Sequence, residues 1–275
     1  MRTKRELRIK YVIMTIVSLI VILPYLWLIS TSLKTPAKIF VSPPQWIPNP
    51  VRWANFTDLF TSSHYGLYLW NSFKVATLTT LGTIFVAAFA GYALAKIRFP
   101  GRNFFFMLFL SAMMLPVEVI NIPIFLGLAK FNMTNSHFAL IVPQIFGMGG
   151  AFGIFMMRQF FITVPNELVE AGKIDGCSHF RIFWEIVLPM ASSPIASLVI
   201  YTFFNSWNDY FLPLIYLSDS KKYTSTLALS LFADEVGVSW NLVMAASLIS
   251  TLPLLIVFFC AQKKFIESMA MSGIK

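Results

Sequence analysis

The residues with chemical potential fall into two groups, and neither resembles a reaction centre. The first is a short polar stretch between two apolar runs. There Glu170, Ala171, Gly172, Asp175 and Gly176 are followed by Pro189, so small residues and carboxylates lie beside a turn. Such a stretch reads as a short helix with a firm stop: carboxylates near a helix start favour its positive end, and glycine after Asp175 can take the left-handed conformation that stops a helix. The second group is polar residues inside apolar runs, namely Glu118, Asn205 and Asn208, with the aromatic Trp207 and Tyr210 beside the last two. A carboxylate at mid-membrane depth costs about 2.5–3.5 kcal/mol on insertion scales, so Glu118 is expected to face a partner or water, either along a pathway or in a structural hydrogen bond between helices. Asp209 lies near the outer end of its run and is expected to be solvated, while Trp207 and Tyr210 read first as packing or lipid-facing aromatics and otherwise as faces on which a ligand along the pathway could stack.

Catalytic patterns are absent from the chain. The only Gly-Lys pair, Gly172 and Lys173, is followed by Ile174 and has no upstream glycine, so it cannot make the amide cradle of a phosphate-binding loop. The three histidines (His64, His137, His179) are scattered, and Cys177 and Cys260 form neither a disulfide framework nor a metal pair. No metal, cofactor or nucleotide is expected on this chain. Any nucleotide-driven work would need another chain to bind the nucleotide.

Composition identifies the solvent. Of 275 residues, 57% are hydrophobic and only 12% charged, with 28 Phe, against roughly 25% charged for a soluble domain. The mean hydropathy is +0.72. A water-soluble fold would have to expose far too much apolar surface, so the bilayer surrounds most of the chain. The formal charge of +9 is distributed between apolar blocks, which fits membrane topology and not nucleic-acid binding.

Apolar runs long enough to cross a membrane occupy residues 11–33, 72–95, 104–128, 138–157, 187–212 and 242–261. The fold class is therefore all-α, a polytopic membrane protein with six transmembrane helices. The first run follows a basic start but is too long for a signal peptide and lacks a small-residue cleavage pattern, so it is expected to remain as an anchor. Placing both termini in the cytoplasm puts fourteen Lys and Arg inside and six outside, with Lys74 at a span end, as the positive-inside rule requires. The small-residue rows Ala87, Gly91, Ala95 and Gly149, Gly153 suit close helix packing.

The spans read as one transmembrane domain over residues 1–275, with three connections long enough to carry function: outer loops 34–71 and 213–241 and a cytoplasmic loop 158–186. The outer loop 34–71, with Pro43, Pro44, Trp46, Pro48, Pro50 and Trp53, is expected to be stiff and partly extended. The cytoplasmic loop 158–186 reads as two short helices: Pro165 at the first helical position, Gly176 ending the turn, and Ser178 capping a second helix that feeds the next span. Phe180, Phe183 and Val187 share a face, as in a membrane-surface helix.

The run EAGKIDGCSHFRIFWEIVLPMASSP, from Glu170 to Pro194, resembles the EAA loop of membrane permeases in binding-protein-dependent ABC importers. Glu170, Ala171, Asp175, Gly176, Ile186, Leu188 and Pro189 match the pattern, and Gly172 and Cys177 stand where alanines are usual. The stretch from Phe40 through Trp46 to Asn55 and Phe56, the run FNSWNDYFLPLI and the tail from Gln262 resemble the carbohydrate importers, specifically the six-span maltose-type permease. The resemblance implies a type I ABC importer permease fold. It implies a coupling helix in which Glu170 pairs with a basic group on an ATPase, Ala171 and Gly172 permit close approach, and Pro189 sets the exit into the fifth span. It also implies partners: a second homologous permease, two ATP-binding cassette subunits, an extracytoplasmic solute-binding protein and a sugar substrate, all at a prokaryotic inner membrane. The rival reading is a secondary carrier driven by an ion gradient, for which Glu118 is the one mid-span ionisable candidate.

Overall fold

The computed structural model describes the chain over residues 4–234 and 237–272. In order, the helices are α1 (Lys4–Ser32), α2 (Ala54–Thr61), α3 (Tyr65–Lys96), α4 (Arg102–Ala112), α5 (Val117–Lys130), α6 (His137–Phe146) and α7 (Met148–Thr163). They continue as α8 (Asn166–Ile174), α9 (His179–Ile182), α10 (Leu188–Met190), α11 (Ser192–Asn208), α12 (Phe211–Tyr216), α13 (Ser225–Ala228) and α14 (Trp240–Ser272). A two-residue ladder, β1 (Ala233–Asp234) with β2 (Gly237–Val238), precedes α14. Four helical stretches are long and apolar enough to cross a membrane, Glu6–Ser32, Tyr65–Lys96, His137–Thr163 and Trp240–Ile266, and two bent pairs bring the number to six.

The bends correct the expectation of straight spans. The third run is not continuous over 104–128: α4 and α5 meet at 100°. The cause is Pro116, which has no N–H to donate and pushes its predecessor out of helical geometry. The fifth run likewise turns by 77° between His179–Met190 and α11. A π-turn at Phe183–Val187 precedes Pro189, the kind of widened turn that accompanies helix kinks. The fourth span is broken at Gly147, where a Cβ would lie 2.5 Å from the Pro143 carbonyl oxygen.

By compactness the chain divides into Met1–Gly66 with Ala228–Leu252, and Leu67–Leu227 with Pro253–Lys275. In the first unit the outer loop is not merely extended: it contains α2, and the second span begins at Tyr65. Asn55, fully buried, organises this unit. Its Nδ2 donates to the carbonyl oxygens of Ser32 at 2.8 Å and Lys34 at 2.9 Å, and its Oδ1 accepts from Asn241 Nδ2 at 2.9 Å. One side chain thus ties the end of α1 to α2 and to the start of α14, satisfying backbone groups that a helix terminus leaves free. The Tyr65 hydroxyl and Ser250 Oγ, 2.8 Å apart, add a second clasp.

The second unit holds the larger core. Ala87, Tyr92, Ile154, Met157, Phe161, Val169, Ile182, Phe183, Val187 and Leu198 bury together from α3, α7, α8, the α9–α10 segment and α11. The small residues decide how near α3 and α7 come: a Cβ on Gly91 would meet Met157 Cβ at 2.8 Å, and one on Gly153 would meet Ala87 Cβ at 2.9 Å. The expected small-residue packing thus falls on the α3–α7 seam at Ala87, Gly91 and Gly153, whereas a Cβ on Gly149 would meet only the Gln144 carbonyl oxygen, at 3.3 Å.

Candidate functional site

The loop after α7 is a two-helix knob held by its own turn chemistry. Pro165 stands one residue before α8, at its N-cap. At the other end Gly176 takes φ +77°. Gly176 N–H donates to the Lys173 carbonyl at 3.0 Å and Cys177 N–H to the Gly172 carbonyl at 2.9 Å. This pair of bonds closes a Schellman motif, which glycine at that position makes possible. Ser178 Oγ then accepts from Arg181 N–H at 3.3 Å and caps α9, as its position predicts.

The knob is seated on the bundle. Val169 and Ile182 enter the main core, and Gly172 is buried against α9, where a Cβ would come within 2.9 Å of Ile182 Cγ1. Gly172 therefore serves the contact between α8 and α9 inside the chain. Glu170, Ala171, Asp175, Gly176 and Pro189 are exposed. Ile174, 86% exposed, is the apolar point of that face. The surface-helix expectation for Phe180, Phe183 and Val187 needs correction. Phe183 and Val187 are buried, whereas Phe180 is exposed and stacks between Phe89 and Trp184.

A cavity of about 340 Å³ lies among α3, α5, α6, α7 and α11, and Glu118, Asn205 and Asp209 reach it. Asp209 is held inward, accepting from Leu212 N–H at 3.1 Å and Gln144 Nε2 at 3.3 Å. Its position at the end of α11 hides this in the sequence, where it reads as solvated. Thr79, Thr83 and Asn121 also line the cavity, each at least nine-tenths buried, and Thr79 Oγ1, Thr83 Oγ1 and Asn121 Nδ2 have no hydrogen-bond partner among the described residues. Buried polar atoms without partners are costly unless a ligand or water completes them. Threonines within an apolar helix give no periodic signal, so sequence reading passes over them. The signal that was available is the run from Pro143 through Gly150, whose proline and glycines open the wall at Gly147.

The other expected pathway residues lie elsewhere. Trp207 is 1% exposed and stacks on Phe203 at 5.6 Å, inside an apolar cluster with Ala76. Asn208 Nδ2 donates back to the Phe204 carbonyl at 2.9 Å, and Tyr210 is exposed away from the cavity lining.

A helical membrane bundle, broken at prolines and glycines around a polar cavity and carrying a rigid two-helix knob, is the architecture of an importer permease. Comparison with known proteins places the chain further. Residues 83–270 match the family model described as the binding-protein-dependent transport system inner membrane component. The chain belongs to that family. It is 35% identical to the sn-glycerol-3-phosphate transport system permease protein UgpE of Yersinia enterocolitica, over 94% of each chain. It is 31% identical to the arabinooligosaccharides transport system permease protein AraQ of Halalkalibacterium halodurans, over 83% of this chain and 81% of the relative. Its fold matches a chain in the crystal structure of a bacterial ABC transporter involved in the import of the acidic polysaccharide alginate, with a TM-score of 0.80, 20% identity and coverage of 96% and 99%. The chain is thus a multi-pass inner-membrane permease subunit of an ABC importer, working with a partner permease, an ATPase and a binding protein. The ion-gradient carrier reading is overturned by this membership.

Proposed function

We propose that this chain forms a single permease domain that moves a sugar or a related uncharged polyhydroxy solute by alternating access, with both termini cytoplasmic. It holds no nucleotide site of its own. Two ATP-binding cassette subunits hydrolyse ATP, a second homologous permease completes the path, and an extracytoplasmic protein delivers the solute. The α8 knob transmits ATPase closure to the helices on either side of it, with Glu170 paired to a cation of the ATPase and Ala171 allowing close approach.

The observation that carries the solute class is the cavity lining. It offers hydroxyl, amide and carboxylate groups from Thr79, Thr83, Asn121, Gln144, Asn205, Glu118 and Asp209, and no Lys, Arg or His is among its lining residues. Hydroxyls and amides exchange hydrogen bonds with sugar hydroxyls, whereas a phosphate ester calls for charge-assisted donors. AraQ is named for arabinooligosaccharides, and the lining favours that kind of cargo over the glycerol phosphate of UgpE.

The test is reconstitution of the whole transporter in proteoliposomes with radiolabelled arabino-oligosaccharide, malto-oligosaccharide and glycerol 3-phosphate. ATP-dependent uptake of a neutral sugar is expected. Uptake of glycerol 3-phosphate with both sugars ignored would overturn the solute reading.

A further inference from the structure

A second cavity, of about 620 Å³, opens where the α8 knob meets the bundle, and its lining is strongly cationic. The end of α3 gives Lys96, the turn after it Arg98, the start of α4 Arg102, α7 Arg158 and α8 Lys173, with His179 from α9. Glu170 is the one carboxylate of the lining. None of these cations forms a salt bridge among the described residues, where the two ion pairs are Arg52–Asp58 and Arg181–Glu185. Lys96 Nζ donates only to neutral acceptors, the Val164 carbonyl and Asn166 Oδ1 at 2.8 Å. Arg158 is preorganised: Nε donates to the Leu94 carbonyl at 3.3 Å and the guanidinium lies 3.8 Å over the Phe106 ring, which leaves its terminal nitrogens without a protein partner among the described residues.

Positive residues at this end of the bundle set topology, but topology requires only that they be on one side. It does not require five of them to converge on one concave space with a single carboxylate in its lining, where mutual repulsion is unfavourable. An anion relieves that repulsion, and guanidinium forks match the oxygen spacing of phosphate. We propose that this cavity is a phosphate-binding site, occupied by the headgroup of an anionic phospholipid or by a free phosphate, which fastens the α8 knob to α3, α4 and α7. Arg98, Arg102 and Arg158 hold the phosphate oxygens, and Lys173 reaches it from the knob. Occupancy joins the moving part to the helices it drives, so the site stabilises the force-transmitting arrangement. Basic pockets between membrane helices are established places for anionic headgroups.

The test uses the complete purified transporter in nanodiscs of phosphatidylcholine, of phosphatidylcholine with phosphatidylglycerol, and of phosphatidylcholine with inorganic phosphate added. Thermal unfolding and lipid retention by native mass spectrometry are the readouts. The double variant Arg98→Gln, Arg102→Gln removes two exposed or half-exposed cations of the cavity and leaves Arg158 in its packed position. The control is Lys263→Gln, Lys264→Gln, which removes the same charge outside the cavity lining.

Phosphatidylglycerol is expected to raise the unfolding temperature of the wild type and of the control. The cavity variant is expected to retain it about 30-fold less well, as two lost basic contacts imply. The same pattern with inorganic phosphate in phosphatidylcholine nanodiscs would identify free phosphate as the occupant and leave the site standing. Equal loss in both double variants would show diffuse surface attraction and overturn the proposal. So would the absence of any response to either anion.

Discussion

Two cavities in one helical unit carry opposite chemistry. One is lined by Glu118, Asp209 and neutral polar groups with no cation; the other has five Lys and Arg and a single carboxylate. The same two helices line both: α3 gives Thr79 and Thr83 to the first and Lys96 to the second, and α7 gives Met148 and Gly149 to the first and Arg158 to the second. At 1.5 Å per residue, the 11 positions from Thr83 to Leu94 span about 16 Å. Between them lies the tightest part of the α3–α7 seam, at Ala87, Gly91, Gly153 and Met157. On the readings proposed above, the contrast separates a solute path from a site that holds parts together. The first leaves buried polar atoms without partners among the described residues, while the second concentrates charge beside the two-helix knob.

The largest effect is expected at the knob itself. Glu170→Lys reverses the only carboxylate of the basic cavity and presents the wrong charge on the exposed face of α8. Uptake should fall to background while membrane insertion stays normal, because truncating or reversing one member of a desolvated interfacial charge pair weakens binding by ~30-fold or more. Co-purification of the ATPase with the variant permease checks this alongside uptake. Wild-type uptake with full ATPase recovery would remove Glu170 from the coupling contact.

Next comes the wall between the two cavities. Gly91→Val introduces a Cβ that would meet Met157 Cβ at 2.8 Å and Arg158 N at 2.9 Å. Overpacking of this kind typically costs 1–3 kcal/mol, so the thermal midpoint of the assembled transporter should fall by several degrees. Gly127→Val is the control, since a Cβ there meets nothing within 4 Å. Equal midpoints for the two variants would mean that the seam is not the wall described above.

How much of this is legible in the sequence differs between the regions. The knob is nearly all there, because its stops and caps are local: Gly176, Ser178 and the glycine–carboxylate spacing act within a few residues. The spans are legible as apolar runs, but their shape is not. Pro116 and Pro189 sit in runs that hydropathy treats as continuous, so the bends of 100° and 77° do not register in a count of apolar residues. The cavities are the least legible part. Thr79, Thr83, Asn121 and Gln144 are single polar residues on different helices, and only tertiary packing brings them to one wall. Trp207 shows the converse: an aromatic beside polar neighbours invites a sugar-stacking role, yet helix phase turns it into the core against Phe203. Arg98, Arg102 and Arg158 count in the sequence only as topological charge, since nothing local reveals that they converge.

The sign of the first cavity can be tested apart from transport. With Cys177 and Cys260 replaced by Ser, a Met148→Cys thiol on the lining should react on the order of tenfold faster with a cationic methanethiosulfonate than with an anionic one, as two nearby carboxylates in a partly desolvated space imply. Glu118→Gln combined with Asp209→Asn should bring the ratio close to that of a free thiol. A ratio that starts near that value would mean the companion permease neutralises the lining, and the cavity contrast would fail on that side.

The smallest effect sharpens the knob side without touching its charges. Gly176 has φ +77°, and a Cβ there would meet nothing within 4 Å, so conformational strain is the sole cost of substitution. Gly176→Ala should destabilise the closed turn by about 1 kcal/mol, and Gly176→Asn by less, because asparagine tolerates the left-handed region better. Measured by local hydrogen exchange at the Cys177 amide, whose bond to the Gly172 carbonyl closes the motif, opening should rise about fivefold in the alanine variant and less in the asparagine variant. Since a knob that frays transmits less displacement, solute-stimulated ATP hydrolysis should follow the same order, with wild type highest and alanine lowest. Asparagine and alanine variants that exchange and couple equally would show that the turn's backbone geometry does not limit force transmission, leaving the packing of Gly172 against Ile182 as the feature that keeps α8 in place.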